Sequence, residues 1–160
     1  MDFDASLALS NIDFGTFHLY TSDWSKDTAW GTQWIKVNVD FHHSKSITKL
    51  PKKQDHATAQ ASAKKPVLFE EYGLEEVSER PTVYPEWQAI VEKSLAADTF
   101  WQIAVPCNPN LDKFAICADD ANWDTIIGKH AAAMAGKVQF FYKHLIKTPQ
   151  LIRFLFLELI

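Results

Sequence analysis

The sequence predicts an α/β fold, and three observations carry that prediction. One is the run KPVLFEEYG at 65–73, where Val67, Leu68 and Phe69 form a short apolar stretch between Pro66 and Gly73. A run this short, with β-branched and aromatic residues, reads as a strand buried on both faces, and it stops at two carboxylates, Glu70 and Glu71. Another is a pair of further strand-like runs: IDFGTFHLY (12–20), ending in His18 and Tyr20, and TFWQIAV (99–105), carrying Trp101. The last is helical apolar spacing in the stretches between them, at Trp30, Trp34 and Ile35 and at Trp87, Ile90, Val91 and Leu95. In a parallel α/β sheet or barrel, side chains at the C-terminal ends of strands stand where chemistry is done.

Residues 1–11 read as the tail of a βα unit. In 12–20, Ile12, Phe14, Thr16 and His18 share one parity with Tyr20, so both polar side chains reach the same side of the strand end. The alternative is a buried His and Tyr satisfied by backbone groups. TAWGTQWIK (28–36) begins an amphipathic helix, and DHATAQASAK (55–64) resumes one. Between them, 37–54 shifts to Lys, Ser, Thr and His, with Pro51 breaking any helix.

After the 67–69 strand, 74–84 reads as a polar connection. Pro85 suits the first position of a helix that runs to Leu95 and puts Trp87 in the core. Residues 106–118 form a long loop whose two cysteines, Cys107 and Cys117, are either a local disulfide or two free thiols. Asp119 to Asp124 starts an Ala-rich helix ending near 135, with acid at its positive end. From Lys137 the pattern changes; the apolar run 154–160 is interrupted by Glu158 and is too short to cross a bilayer.

At 160 residues one domain is expected, and 47% hydrophobic with 13% aromatic content fits a chain with a core. A formal charge of −4 offers no basic footprint for nucleic acid. No metal-ligand spacing is present, since His42 and His43 are adjacent and the other histidines scattered, and no cofactor is implied. The opening MDFDASLALS lacks the basic and apolar regions of a secretion signal.

Taken in order, FGTFHLY, WGTQWIK, KPVLFEEYG, DTFWQ and DDANWDTI resemble the late strands of glycoside hydrolase family 5, in its fungal endo-β-1,4-mannanase branch. The resemblance covers 2–36, 55–105 and, more loosely, 106–136. It implies a partial (β/α)8 TIM barrel, late strands and helices only, because a complete barrel needs about 250 residues. It divides the chain into 1–136, the C-terminal part of a catalytic domain with an atypical insert at 37–54, and an atypical tail at 137–160.

The implied activity is endo-hydrolysis of β-1,4-mannosidic linkages in mannans by a retaining mechanism. Glu71 matches the nucleophile, Tyr20 the residue that hydrogen-bonds it, His18 its other neighbour and Trp101 a sugar platform. Glu70 is expected on the opposite side of the strand from Glu71. The family's acid/base lies in an Asn-Glu-Pro motif, and no Asn-Glu pair occurs in this sequence, so the chain alone is expected to be inactive. The alternatives are a β-1,4-glucan-cleaving relative and a non-catalytic sugar-binding remnant. The implied partner is a mannan-type polysaccharide, with no nucleic acid and no membrane, and the implied location is outside the cell.

Removing 37–54 joins Lys36 to Asp55 and restores an uninterrupted helix. Val37 is encoded by GTN and Gln54 can be encoded by CAG, so the segment can begin and end as an intron does. Both 37–54 and 137–160 are therefore expected to be retained introns without stable packing.

Overall fold

The computed structural model describes residues 2–39, 56–105, 107 and 112–145. Helix α1 (Phe3–Leu7) precedes strand β1 (Gly15–Tyr20), which leads through a turn into α2 (Thr28–Val39). Helix α3 (His56–Ala63) then enters β2 (Val67–Gly73), followed by α4 (Arg80–Ser94) and the short strands β3 (Ala97–Asp98) and β4 (Ile103–Ala104). Strand β5 (Ile116–Cys117) and α5 (Lys129–Leu145) complete the order. Three strands form a parallel sheet in the order β1-β2-β3, and β4 pairs in parallel with β5.

The register of β1 against β2 decides where every side chain points. Phe17 lies opposite Phe69, but the next residue, His18, lies opposite Glu71, so Glu70 is an extra residue in β2. Such a bulge reverses the alternation beyond it. Val67 and Phe69 are fully buried before it and Tyr72 after it, and the Phe69 and Tyr72 rings stack at 4.5 Å. Phe17 stacks on Phe69 at 4.8 Å, and Leu19, opposite Tyr72, is fully buried. One face of the sheet is thus a continuous apolar layer. Helix α4 covers it with Tyr84, Trp87 and Val91, all fully buried, and the Trp87 indole donates to the Thr32 hydroxyl of α2 at 2.8 Å.

Several expectations need correction. The strand around Val67 does not stop at the carboxylates but runs through both to Gly73. The expected strand 99–105 is split: β3 ends at Asp98, β4 starts at Ile103, and Trp101 lies between them, its peptide bond to Gln102 being cis. Helix α4 begins at Arg80, and Pro85 sits inside it. The missing Pro85 N–H costs one bond to the carbonyl of Pro81, whereas Arg80 and Pro81 supply the actual start.

The expected insert also has an ordered beginning. Val37 and Val39 prolong α2 and are buried, at 5% and 0% exposure, so they do not lack packing; the stretch 40–54 lies outside the described residues. Helix α5 passes Gly136 without a break. The Lys137 ammonium donates to the carbonyls of Val91 at 3.4 Å and Leu95 at 2.6 Å, tying the start of the expected tail to the end of α4. Residues 146–160 lie outside the described residues.

Candidate active site

The bulge matters most on the other face of the sheet. By plain alternation Glu71 would share a side with Val67 and Phe69, under the helices. The extra residue moves it to the side of Thr16, His18 and Tyr20. There the Tyr20 hydroxyl donates to Glu71 Oε2 at 2.8 Å. Burial, then the hydrogen bond to Glu71, push the Tyr20 phenol above its ordinary range, so it remains a donor throughout the neutral region.

His18 stands between two carboxylates. Its Nε2 is 3.1 Å from Glu70 Oε2, and its Nδ1 is 3.6 Å from Glu71 Oε2. The first is a hydrogen bond; the second is too long to be one. Glu70 therefore does not point away from the Glu71 side, as strict alternation requires. Its hydrogen bonds with His18 and then with Thr16 hold its carboxyl below the usual range. The side chains of His18, Glu70 and Glu71 are 44%, 47% and 35% exposed, so the group is open to solvent and to a ligand.

Trp101 stands on the same end of the sheet. Its N–H donates to the Tyr72 carbonyl at 2.9 Å, at the C-terminal end of β2, and the residue is 42% exposed. Gly73 permits this approach: a Cβ there would lie 3.0 Å from the Trp101 carbonyl oxygen and 2.9 Å from the Phe114 ring. The indole N–H donates to Asp112, which also accepts from the Gln102 amide at 3.0 Å and the Phe114 N–H at 2.8 Å. Although burial pushes the Asp112 carboxyl up, these donors hold it below its ordinary value. A disulfide joins Cys107 to Cys117 with a Cα separation of 5.1 Å, which resolves the alternatives left by the sequence. Cys117 lies in β5, the partner of β4.

Three residues of this surroundings had no motif to announce them. Asp112 fixes the edge of the Trp101 ring. Phe114 packs on Tyr20 at 4.9 Å between centroids. Arg80, only 3% exposed, donates to the carbonyls of Leu74 at 2.9 Å, Ala115 at 2.7 Å and Lys113 at 2.8 Å. It therefore clamps the loop bearing Phe114 to the end of β2. No local pattern in a sequence marks an arginine that bonds only to distant backbone.

Chemically, the arrangement offers a half-buried carboxylate oriented by a phenol, a neighbouring imidazole and an exposed indole at the same end of the sheet. A carboxylate so held can act as a nucleophile, and an indole can stack on the apolar face of a sugar.

No family model matches the chain. The probable mannan endo-1,4-beta-mannosidase F of Neosartorya fischeri is 32% identical over 136 residues, covering 82% of this chain and 26% of the relative. Its counterpart in Aspergillus flavus is 40% identical over 103 residues, covering 63% of this chain and 18% of the relative. Among solved structures, the endo-1,4-beta-mannanase from Rhizomucor miehei matches with a TM-score of 0.68 at 52% identity, over 85% of this chain and 34% of that one. The endo-beta-1,4-mannanase from Thermotoga petrophila matches with a TM-score of 0.61 at 25% identity, over 83% and 28% respectively. The chain thus spans about a quarter of the length of the curated relatives it matches, and its parallel sheet is part of a (β/α)8 barrel.

Proposed function

This chain belongs to the mannan endo-1,4-β-mannosidases of glycoside hydrolase family 5, and from that premise we propose that it carries the nucleophile side of a retaining site for β-1,4-mannosidic linkages. The observation that carries the reading is the Tyr20–Glu71 hydrogen bond of 2.8 Å at the C-terminal strand ends, created by the bulge in β2. Glu71 attacks the anomeric carbon as the bond to the leaving oxygen breaks, giving a glycosyl ester that water then hydrolyses. Tyr20 holds one carboxylate oxygen so that the other is presented. Trp101 supplies the stacking surface.

The leaving oxygen needs a proton in the same transition state, from a carboxylic acid about 5–5.5 Å from the nucleophile in retaining enzymes. No Asn-Glu pair in this sequence matches the family's acid. The isolated chain is therefore expected to release no oligosaccharide from mannan. A substrate whose leaving group needs no proton separates the two halves of the mechanism. Incubated with 2-deoxy-2-fluoromannosyl fluoride, the chain should gain one fluoromannosyl group on the peptide containing Glu71, and Glu71→Ala should gain none. Labelling elsewhere, or no labelling alongside retention on a mannan column, would replace the enzymatic reading with that of a sugar-binding remnant.

The disulfide supports a place outside the cell, where such bonds persist. Among the described residues no helix is long and apolar enough to cross a membrane.

A further inference from the structure

We propose that Glu70 is a positioning residue that fixes the tautomer of His18, and through it the face that His18 turns toward Glu71. The role rests on Glu71 being the nucleophile, but the observation behind it is the bulge itself. Glu70 is the residue that has no partner in the β1–β2 register, and its carboxylate nonetheless reaches across to the β1 side chains. Its backbone is held as well, because the Thr99 hydroxyl donates to the Glu70 carbonyl. The Thr16 hydroxyl holds the carboxylate together with His18.

An ionised carboxylate only accepts hydrogen bonds, so the 3.1 Å contact requires the proton on His18 Nε2. In the neutral ring the other nitrogen, Nδ1, then carries a lone pair. That nitrogen faces Glu71 Oε2 at 3.6 Å, an oxygen already occupied by the Tyr20 hydroxyl at 2.8 Å. The consequence is specific. With the proton on Nδ1, His18 would point a second N–H dipole at the nucleophile, and even at 3.6 Å, beyond hydrogen-bond length, that dipole stabilises the carboxylate's charge and blunts its attack. With the proton on Nε2, Glu71 keeps its remaining lone pairs for the anomeric carbon, and Nδ1 is left as an acceptor on the open face of the sheet. Glu70 selects the second arrangement. The groups that meet the ring's nitrogens are Glu70 and Glu71 from β2, and no cation among the described residues forms an ion pair with either carboxylate.

The test is the protonation pattern of the His18 ring nitrogens in the full chain. With nitrogen-15 histidine, two-bond ring correlations would be recorded at a pH where the imidazole is neutral. The native chain should show the proton on Nε2 and a pyridine-like Nδ1. Glu70→Gln, whose amide oxygen still accepts, should keep that pattern. Glu70→Ala should move the proton to Nδ1, since Glu71 is then the nearest acceptor. Glu70→Lys offers only donors and should force the same exchange; because residue 70 is exposed, it provides a second variant should Glu70→Ala fail to fold. A native chain with the proton on Nδ1, or folded Glu70→Ala or Glu70→Lys retaining it on Nε2, overturns the proposal. None of these readouts involves sugar. Failure here leaves the fluoromannosyl labelling of Glu71 standing, and failure of that labelling leaves the tautomer result standing.

Discussion

Replacing Arg80 by Met should destabilise the chain by about 3 kcal/mol while loosening the site from a distance. The structure supplies the bookkeeping. Three guanidinium nitrogens donate to three backbone carbonyls at 2.7–2.9 Å, in a residue that is 3% exposed. Hydrogen bonds from a charged donor are each worth roughly 1.5–3 kcal/mol, which sets a gross loss of about 4–9 kcal/mol. Two effects reduce it. Removing the arginine also removes the cost of burying its charge, and carbonyls of the 113–115 loop regain water once the clamp is gone. A net loss of about 3 kcal/mol corresponds to roughly 6–12 °C in Tm for a chain of this size. The assay is thermal and urea unfolding followed by tryptophan fluorescence, with Arg80→Lys as the control. A single ammonium cannot span three carbonyls, so the lysine variant should recover less than half of the loss. Hydrogen exchange at Phe114 to Cys117 should accelerate more than at Val67 to Phe69. If Arg80→Met lowers stability by less than about 0.5 kcal/mol, or if the loop keeps its native protection, the clamp is not what holds it.

Two further outcomes are expected. His130 of α5 has Nδ1 at 2.8 Å from Glu92 and Nε2 at 2.7 Å from Asp98; burial pulls its pKa down, but the bonds to Asp98 and then Glu92 outweigh it and raise the value. A raised imidazole contributes stability in full below its unfolded value of about 6.5 and loses that contribution as pH rises through the folded value. The Tm difference between the native chain and His130→Gln should accordingly be largest near pH 6 and shrink toward pH 9; a difference that grows with pH would contradict the sign. Gly73→Ala should cost about 1–3 kcal/mol by overpacking, because its Cβ meets the Phe114 ring at 2.9 Å. It should also shift the Trp101 emission, and a neutral change on both counts would remove the close approach argued at that position.

How much of this was legible beforehand depends on whether a feature is local. The short run Val67 to Phe69 and the parity shared by His18 and Tyr20 are properties of single strands, and both appear in β1 and β2, although the run is buried on one face only, Leu68 being half-exposed on the other. Trp87 belongs to the same class, since its helical spacing announces a core residue and it is fully buried. Helix α4 starts earlier than its proline suggested. Its first turn is secured by Arg80 bonding to residues up to 35 positions away in the chain, which no window of sequence contains. The split of 99–105 has the same origin: Trp101 leaves the strand to bond to Tyr72 and to Asp112.

The bulge is the sharpest case, because the expectation that Glu71 meets Tyr20 came from its motif and not from alternation. Periodicity alone places Glu71 with Val67 and Phe69 on the buried face, and Glu70 with His18 on the open one. Register is a property of two strands together, and one inserted residue exchanges the faces of everything after it. Here it satisfies two demands that a regular strand cannot meet at once. The Phe69–Tyr72 stack requires two residues three apart on one face of β2, while the polar group requires Glu70 and Glu71, adjacent in sequence, to reach the same imidazole. A regular strand offers neither spacing. The carboxylate pair around His18 therefore depends on the extra residue, whereas the apolar layer under α4 depends only on that residue being bulged out of the pairing. Deleting position 70 would leave a regular strand with the same register: Glu71 still opposite His18 and Tyr72 still opposite Leu19. The core should then survive the deletion while the His18 ring loses one of its two carboxylates, so the bulge serves the polar group and the core merely tolerates it.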